Sequence, residues 1–410
     1  MHSCCFRGGD VLQLTKVMKT KTTAFLLAFS LLAVFPTSVF AASNGSSSRY
    51  FVTTNRLFWR STMSARHVFP DGFTADLSDL QVRIAKLAGL RPIAVKKFYI
   101  LADAAQSVSP TPLMTPSENV SWGIRAMLSD ATATSTTGGA GVQIAVLDTG
   151  IDREHPDLSR RIDGCFDLSD STKGFAENAC TDLNGHGTHM AGVLVADGGV
   201  DGKGAYGFAP QASISVYRVC GSTGMCFADD VAVAMTHAVD SGANIIVLGM
   251  GGEAQSSFIH DAIGYATDHD VMVVAPAGND GPYDDSLDWP AREPAVVSVA
   301  AIDDTREPAE FSSRGNNEST TAYVPEKGDV EFAAPGVNIE STFRDGGYAI
   351  LSGTSMAAPH VAGLAARLWQ RSARHPAQAT RTLLHELARD IFKIGDDNAT
   401  GWGLPVVKAQ

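Results

Sequence analysis

Four polar side chains, Asp148, His186, Asn279 and Ser355, have types that could together attack and split an acyl bond. Ser355 lies in the stretch GTSMAAPHVAG, Gly353 to Gly363, where a Gly-Thr turn gives way to small, mostly apolar residues. The sequence places Pro359 in a first helical turn, where backbone N–H groups have no intrahelical partner to lose. Val361–Leu368 is mostly Ala, Val and Leu, so the helix should be buried on most sides. A serine at the mouth of such a helix gains unpaired N–H groups and the positive end of the helix dipole, which favour negative charge developing beside its hydroxyl. A serine that only caps the helix is the bland alternative.

Asp148-Thr149-Gly150 closes an apolar run, Val142–Leu147. An aspartate there could be a turn residue, the carboxylate behind a catalytic imidazole, or half of an acidic dyad sharing a proton. A second Asp-Thr-Gly is missing from the chain, which leaves the dyad only to a homodimer. Asn184-Gly185-His186-Gly187-Thr188-His189 opens a small-residue helix. The glutamate of a zinc-binding HExxH pattern is missing, so His186 is read as a general base and His189 as structural. Asn279, in Ala277-Gly278-Asn279-Asp280-Gly281, is either an ordinary turn asparagine or an amide donor to an oxyanion.

Elements must carry these residues to one place. From Val142 onward short apolar runs alternate with helical stretches. The strand candidates are Val142–Leu147, Ile214–Val219, Ile245–Leu248, Val271–Ala275 and Val296–Ala300. The helix candidates are His186–Val195, Asp229–Asp240 and Phe258–Thr267. That pattern predicts an α/β fold with a mostly parallel, doubly wound sheet and helices on both faces. Active residues of such sheets gather beyond the carboxyl ends of strands, where Asp148 and Asn279 fall. Arg49–Leu101 reads as a small α+β unit: strand Tyr50–Val52, helix Leu77–Leu87, strand Ile93–Leu101. Ala104–Glu118 is rich in Ser, Thr and Pro and reads as a linker with a processing site.

Composition narrows the partners. The chain has 410 residues with 19% charged and 44% hydrophobic, as in a globular protein. A net charge of −12 with no compensating basic patch argues against nucleic acid. Lys16, Lys19 and Lys21 precede an apolar run, Ala24 to Phe35, that ends in Val39-Phe40-Ala41 with small residues where a signal peptidase looks. Residues 1–41 are therefore expected to be a signal peptide cut after Ala41, with Met18 as an alternative start. The run is too short to span a bilayer comfortably, so no membrane association is expected after cleavage. Four cysteines follow the cut, and in an exported chain an even number suggests disulfides. Pairing sequence neighbours gives Cys165–Cys180 and Cys220–Cys226. Zinc is the weaker alternative, since no spacing is a paired CxxC.

With their flanks, the four pieces LDTGIDREHPDL, NGHGTHMAGVL, APAGNDG and SGTSMAAPHVAGLAA resemble the subtilase family of serine peptidases, in its Asp–His–Ser order. The resemblance runs from about Trp122 to Pro405. It implies a secreted, monomeric serine endopeptidase acting on proteins and peptides, with Ser355 as nucleophile, His186 as base and then acid, and Asp148 holding the imidazole. Asn279 and the Ser355 N–H would form the oxyanion hole. A substrate strand would lie along Val247–Gly252, its pocket walled by Leu248, Gly249, Met250, Gly251 and Gly252 and by Ala275–Gly278, including Ala277 and Gly278. Gly249 departs from the serine usual there, which puts subsite preference in doubt. Residues 42–103 resemble the family's propeptide inhibitor, 104–118 would hold the processing site, and 119–410 would be the catalytic domain. Catalysis needs no cofactor. Asp157 matches a structural calcium ligand of relatives, and Asp197 and Asp201 could complete that site.

Overall fold

The computed structural model describes residues 48–102, 113–170, 175–317 and 326–407. The expected signal peptide and residues 104–112 of the expected linker lie outside them. The chain forms two compact units, Met1–Ala94 and Val95–Gln410.

The first unit orders β1 (Ser48–Val52), α1 (Leu57–Thr62), β2 (Val68–Phe69), β3 (Gly72–Leu77), α2 (Asp79–Leu87) and β4 (Pro92–Ala94). Its strands pair antiparallel in the order β2-β3-β1-β4. Val52, Phe73, Ala75, Leu77, Trp59, Met63, Val82 and Ala85 form its own core. The helix starts two residues later than predicted because Leu77 ends β3 and Ser78 caps the helix. The Ser78 N–H donates to Gln81 Oε1 at 2.8 Å, and Ser78 Oγ accepts from the Gln81 N–H, a capping box.

The second unit begins with β5 (Lys97–Ile100). The single strand predicted over Ile93–Leu101 is therefore two strands in separate sheets. Apolar alternation is the same in both halves; only the partners differ. Next come α3 (Trp122–Leu128), β6 (Gln143–Asp148), β7 (Ile162–Asp167), β8 (Ala176–Glu177), α4 (His186–Val195), β9 (Ser213–Arg218), β10 (Met225–Phe227), α5 (Ala228–Asp240), β11 (Ile245–Leu248), β12 (Met250–Gly251) and α6 (Ser257–Asp268). The remainder is β13 (Met272–Pro276), β14 (Val296–Ile302), β15 (Phe332–Pro335), β16 (Ile339–Phe343), β17 (Gly347–Leu351), α7 (Thr354–Arg367), α8 (Pro376–Leu387), β18 (Ala388–Arg389) and β19 (Leu404–Pro405).

Eight strands form the central sheet in the order β15-β14-β13-β11-β6-β9-β7-β8, parallel except at the β7–β8 edge. β6, β11, β13 and β14 are buried along almost their whole length, as a sheet covered by helices requires. Helix α7 packs on β11, β13, β14 and β15, α5 on β6, and α6 on β13. Strand order reverses at β6: β9, β7 and β8 lie on one side, β11, β13, β14 and β15 on the other. Such a switch point leaves a crevice at the carboxyl ends of the strands, and Asp148 is the last residue of β6.

Two further features bear on the site. Helix α7 begins at Thr354, so Pro359 is its sixth residue and lies inside the helix, not in a first turn. Lacking an N–H, Pro359 leaves the Ser355 carbonyl without its usual donor four residues on. Disulfides join Cys165 to Cys180 and Cys220 to Cys226, with Cα–Cα distances of 5.2 and 4.2 Å. Both pairs are those that neighbour pairing predicts. Among the described residues no helix is long and apolar enough to cross a membrane.

Candidate active site

Asp148 is fully buried, and its Oδ1 accepts from the Thr149 N–H at 2.6 Å. Both its oxygens lie 2.9 Å from His186 Nδ1. A carboxylate only accepts at that position, so Nδ1 carries the proton and Nε2 presents a lone pair. His186 is the first residue of α4, and its Nε2 is buried with no hydrogen-bond partner among the described residues.

What aims the imidazole is the start of α4, and the organiser there is Asp182. Its Oδ1 accepts from the N–H groups of Asn184 and Gly185 and from Thr149 Oγ1. Its Oδ2 accepts from the N–H and hydroxyl of Thr188. Thr149 Oγ1 also accepts from the Gly187 N–H at 3.0 Å, tying the Asp148 turn to the His186 helix. A carboxylate at a helix N-terminus satisfies orphan donors and the dipole together. Asp182 escaped the sequence reading. The signal present was weak: Asp182 lies three residues before the N-cap, Gly185, outside the usual capping position.

Ser355 is the second residue of α7 and fully buried. Its Oγ donates to the Gly249 carbonyl at 3.0 Å and accepts from the Leu101 N–H at 3.2 Å. The preceding Gly353 has φ 153°, and a Cβ there would run into the Leu101 carbonyl and stand 3.2 Å from Ala102 Cα. Only glycine allows that approach.

Asn279 follows β13. Its Oδ1 accepts from the N–H and hydroxyl of Thr354, at 3.1 and 2.9 Å, which fixes the amide orientation. Nδ2 therefore points the other way, buried and unpartnered among the described residues. Two unsatisfied polar atoms, an acceptor on His186 and a donor on Asn279, thus belong to α4 and to the loop after β13, and both α4 and β13 pack on α7, the helix that carries Ser355. Buried polar groups are rarely left unpaired: a reacting carbonyl oxygen would accept from Asn279 Nδ2, and a hydroxyl turned toward His186 Nε2 would donate to it.

The chain itself provides a peptide here. β5 pairs antiparallel with β12 on one side, Ile100 opposite Met250 and Tyr99 opposite Gly251. On the other side it pairs with β10, Tyr99 opposite Met225 and Phe98 opposite Cys226. The Leu101 N–H faces both the Gly249 carbonyl, at 3.4 Å, and Ser355 Oγ. Gly249, Met250, Gly251 and Gly252 thus line the strand, Gly252 with its Cα facing Lys97 and Phe98. Leu248 is buried in β11 opposite Leu147. Val247 is likewise in β11. The missing side chain at Gly249 is explained by Asp148, whose Oδ2 fills the space a Cβ would need. Ala277 accepts from the Asp288 N–H at 2.8 Å, and Gly278 donates its N–H to Thr354 Oγ1.

His189 lies apart from this chemistry. Its Nε2 donates toward the carbonyls of Ile339 and Ala349, and burial lowers its pKa to about 3, so it stays neutral. His360 is likewise depressed by burial, to about 4.

The three acidic residues expected at a cation site divide. Asp157 Oδ2 accepts from the Ala205 N–H and the Tyr348 hydroxyl, both at 2.8 Å, while its buried Oδ1 has no partner among the described residues. That Oδ1 and Asp201 Oδ1 both flank Gly199. Asp197 instead turns its two oxygens to Arg160 and Arg161. An orphaned carboxylate oxygen suits a hard cation, so Asp157 fits calcium and Asp197 is already neutralised.

Comparison with known proteins bears on the family and the fold. The pattern described as "Subtilase family" (Peptidase_S8) matches residues 139–403. A "Subtilisin" of Bacillus sp. (strain TA39) is 40% identical over 361 residues, covering 82% of this chain and 84% of that one. "Subtilisin Savinase" of Lederbergia lenta is 34% identical over 287 residues, covering 70% of this chain and 97% of that one. Among solved structures, "S41 Psychrophilic Protease" superposes with a TM-score of 0.68 at 43% identity, covering 72% of this chain and 100% of that one. "Sphericase" gives 0.69 at 41% identity with the same coverage.

Proposed function

The chain belongs to the subtilase family and is a serine endopeptidase; on that premise we propose that it is exported, made as a self-cleaving zymogen, and works through Asp148, His186 and Ser355. Ser355 Oγ attacks the substrate carbonyl while His186 Nε2 takes its proton. Asp148 keeps the imidazole in the tautomer that can accept, and stabilises the imidazolium. The oxyanion is received by Asn279 Nδ2 and the Ser355 N–H. His186 then protonates the leaving amine, and water hydrolyses the acyl-enzyme by the same route reversed. In the arrangement described here the Ser355 hydroxyl is turned to Gly249, so attack requires rotation about its Cα–Cβ bond toward His186.

The observation that carries the zymogen reading is the strand Lys97–Leu101, docked between β10 and β12 by main-chain hydrogen bonds that do not depend on side-chain identity. The bond it offers to Ser355 is Leu101–Ala102, just upstream of the 104–118 stretch singled out by composition. We place the first self-cleavage there, which assigns residues 42–101 to the propeptide. Export rests on the segment 1–41. A structural calcium would be held by Asp157 and Asp201, outside the catalytic chemistry.

The test is a secretion experiment with two proteins. Wild type should yield a mature chain beginning at Ala102 and label covalently at Ser355 with a fluorophosphonate. Ser355→Ala should remain joined across Leu101–Ala102 and hydrolyse a peptide anilide about 10⁶-fold more slowly, a figure known from a subtilisin. Retained activity in Ser355→Ala would end the nucleophile assignment. A first cut inside 104–118 would end the Leu101 assignment alone.

A further inference from the structure

A carboxylate that the reaction does not use stands at the pocket beside Leu101. Asp288 is only 3% exposed. Its loop is stapled to both walls of the cleft: its N–H donates to the Ala277 carbonyl, and Trp289 exchanges two hydrogen bonds with Gly252, at 3.0 and 2.9 Å. A Cβ built on Gly251 would lie 2.8 Å from Asp288 Oδ2 and also 2.8 Å from Leu101 Cδ1. A Cβ on Gly278 would lie 3.1 Å from the same Oδ2. The carboxylate and the leucine methyl therefore border one space, kept open because both walls are glycine there.

Among the described residues no donor reaches the Asp288 carboxylate. The charges facing it are Glu253, after β12, Asp280, after β13, and Arg292 on its own loop. Arg292 is turned elsewhere, to Asp285 and the Leu287 carbonyl. Burial first, then the two acids, raise the Asp288 pKa to about 7. An isolated buried charge is costly, so beside a leucine the group takes up a proton. A substrate ammonium or guanidinium would instead supply the missing partner.

Resting on the peptidase reading above, we propose that Asp288 is the specificity-determining residue of this pocket. It adds lysine and arginine, before the scissile bond, to the leucine that the pocket holds here. Ionised, the carboxylate favours the cationic side chains; protonated, it favours leucine. Selectivity should then change with pH even though the catalytic groups serve both substrates alike.

Peptide anilides identical except for a final Leu, Lys or Arg test this. The Lys:Leu ratio of kcat/KM, which cancels the shared catalytic groups and reports the free enzyme, should rise about 10- to 100-fold between pH 5.5 and 9. In Asp288→Asn the ratio should be flat with pH and lower at pH 9 by the same factor, while Asp288→Glu should restore the slope. A flat wild-type ratio, or an unchanged slope in Asp288→Asn, overturns the proposal. Thermal unfolding gives a second reading. A raised folded pKa in an acid contributes stability at low pH that is lost as pH rises through about 7, so Asp288→Asn should gain in Tm over wild type at pH 9 more than at pH 5. Failure of the serine peptidase reading itself would look different: no fluorophosphonate labelling and no hydrolysis of any of the three substrates.

Discussion

The catalytic roles proposed for these side chains rest on what each is denied. Asn279 commits its oxygen to Thr354 and is left with a buried amide nitrogen that has no partner among the described residues. A donor held in place costs no reorganisation when the oxyanion forms, whereas water would have to turn. Asn279→Ala should therefore lower kcat about 10²- to 10³-fold, the range known from a subtilisin, with KM little changed. Steady-state kinetics on one peptide anilide checks it; a change confined to KM would assign Asn279 to ground-state binding. The residue types at 148, 186, 279 and 355 were legible because each sits at a strand end or helix start flanked by glycine. Asp182 and Asp288 were not, because an aspartate in a loop looks the same whether it caps a helix, floors a pocket or meets water.

Among the elements, α4 is the most tightly specified. Its first turn is bound to the β6 turn through Thr149 and to the preceding loop through Asp182. Gly187 packs so closely that a Cβ would collide with the Gly150 carbonyl and stand 3.1 Å from Asp148 Oδ1. Backbone cannot yield as a flexible side-chain tip can. Gly187→Ala should push α4 away from β6, spoil the His186–Asp148 pairing, and cost about 1–3 kcal/mol of stability as an overpacked site does. A kcat loss above tenfold with a lowered Tm is expected; a variant of normal kcat would show that the helix start tolerates displacement. The extent of α4 was readable from periodicity and its small residues. The extent of α7 was not, since Pro359 suggests a first turn and only the packing around Gly353 shows that the helix begins earlier.

At the scale of the molecule, the loop from Ala196 to Tyr206 joins elements distant in sequence. Asp157 binds Ala205 and Tyr348, and Asn119 Nδ2 donates to the Lys203 and Gly204 carbonyls. A cation on Asp157 Oδ1 would stabilise the folded state by mass action, about 2.7 kcal/mol at a hundred times its Kd. Chelation should therefore lower the wild-type Tm by about 5 °C or more, with millimolar calcium restoring it. Asp157→Asn should respond less. A calorimetric Tm indifferent to both chelator and calcium would remove the cation from this loop.

Local order in the chain determined a good deal: the α/β class, five strands of the central sheet to within a residue or two though not β7, β8 or β15, the start of α4, and the set of polar groups placed at element ends. These follow from apolar runs, glycine and capping chemistry, which act over a few residues. Tertiary structure alone decided the division of Ile93–Leu101 between two sheets, the strand end docked at Ser355, and the carboxylate set against Leu101. Each depends on which distant backbone supplies a hydrogen bond or leaves a space empty, and chain-local patterns carry no record of that.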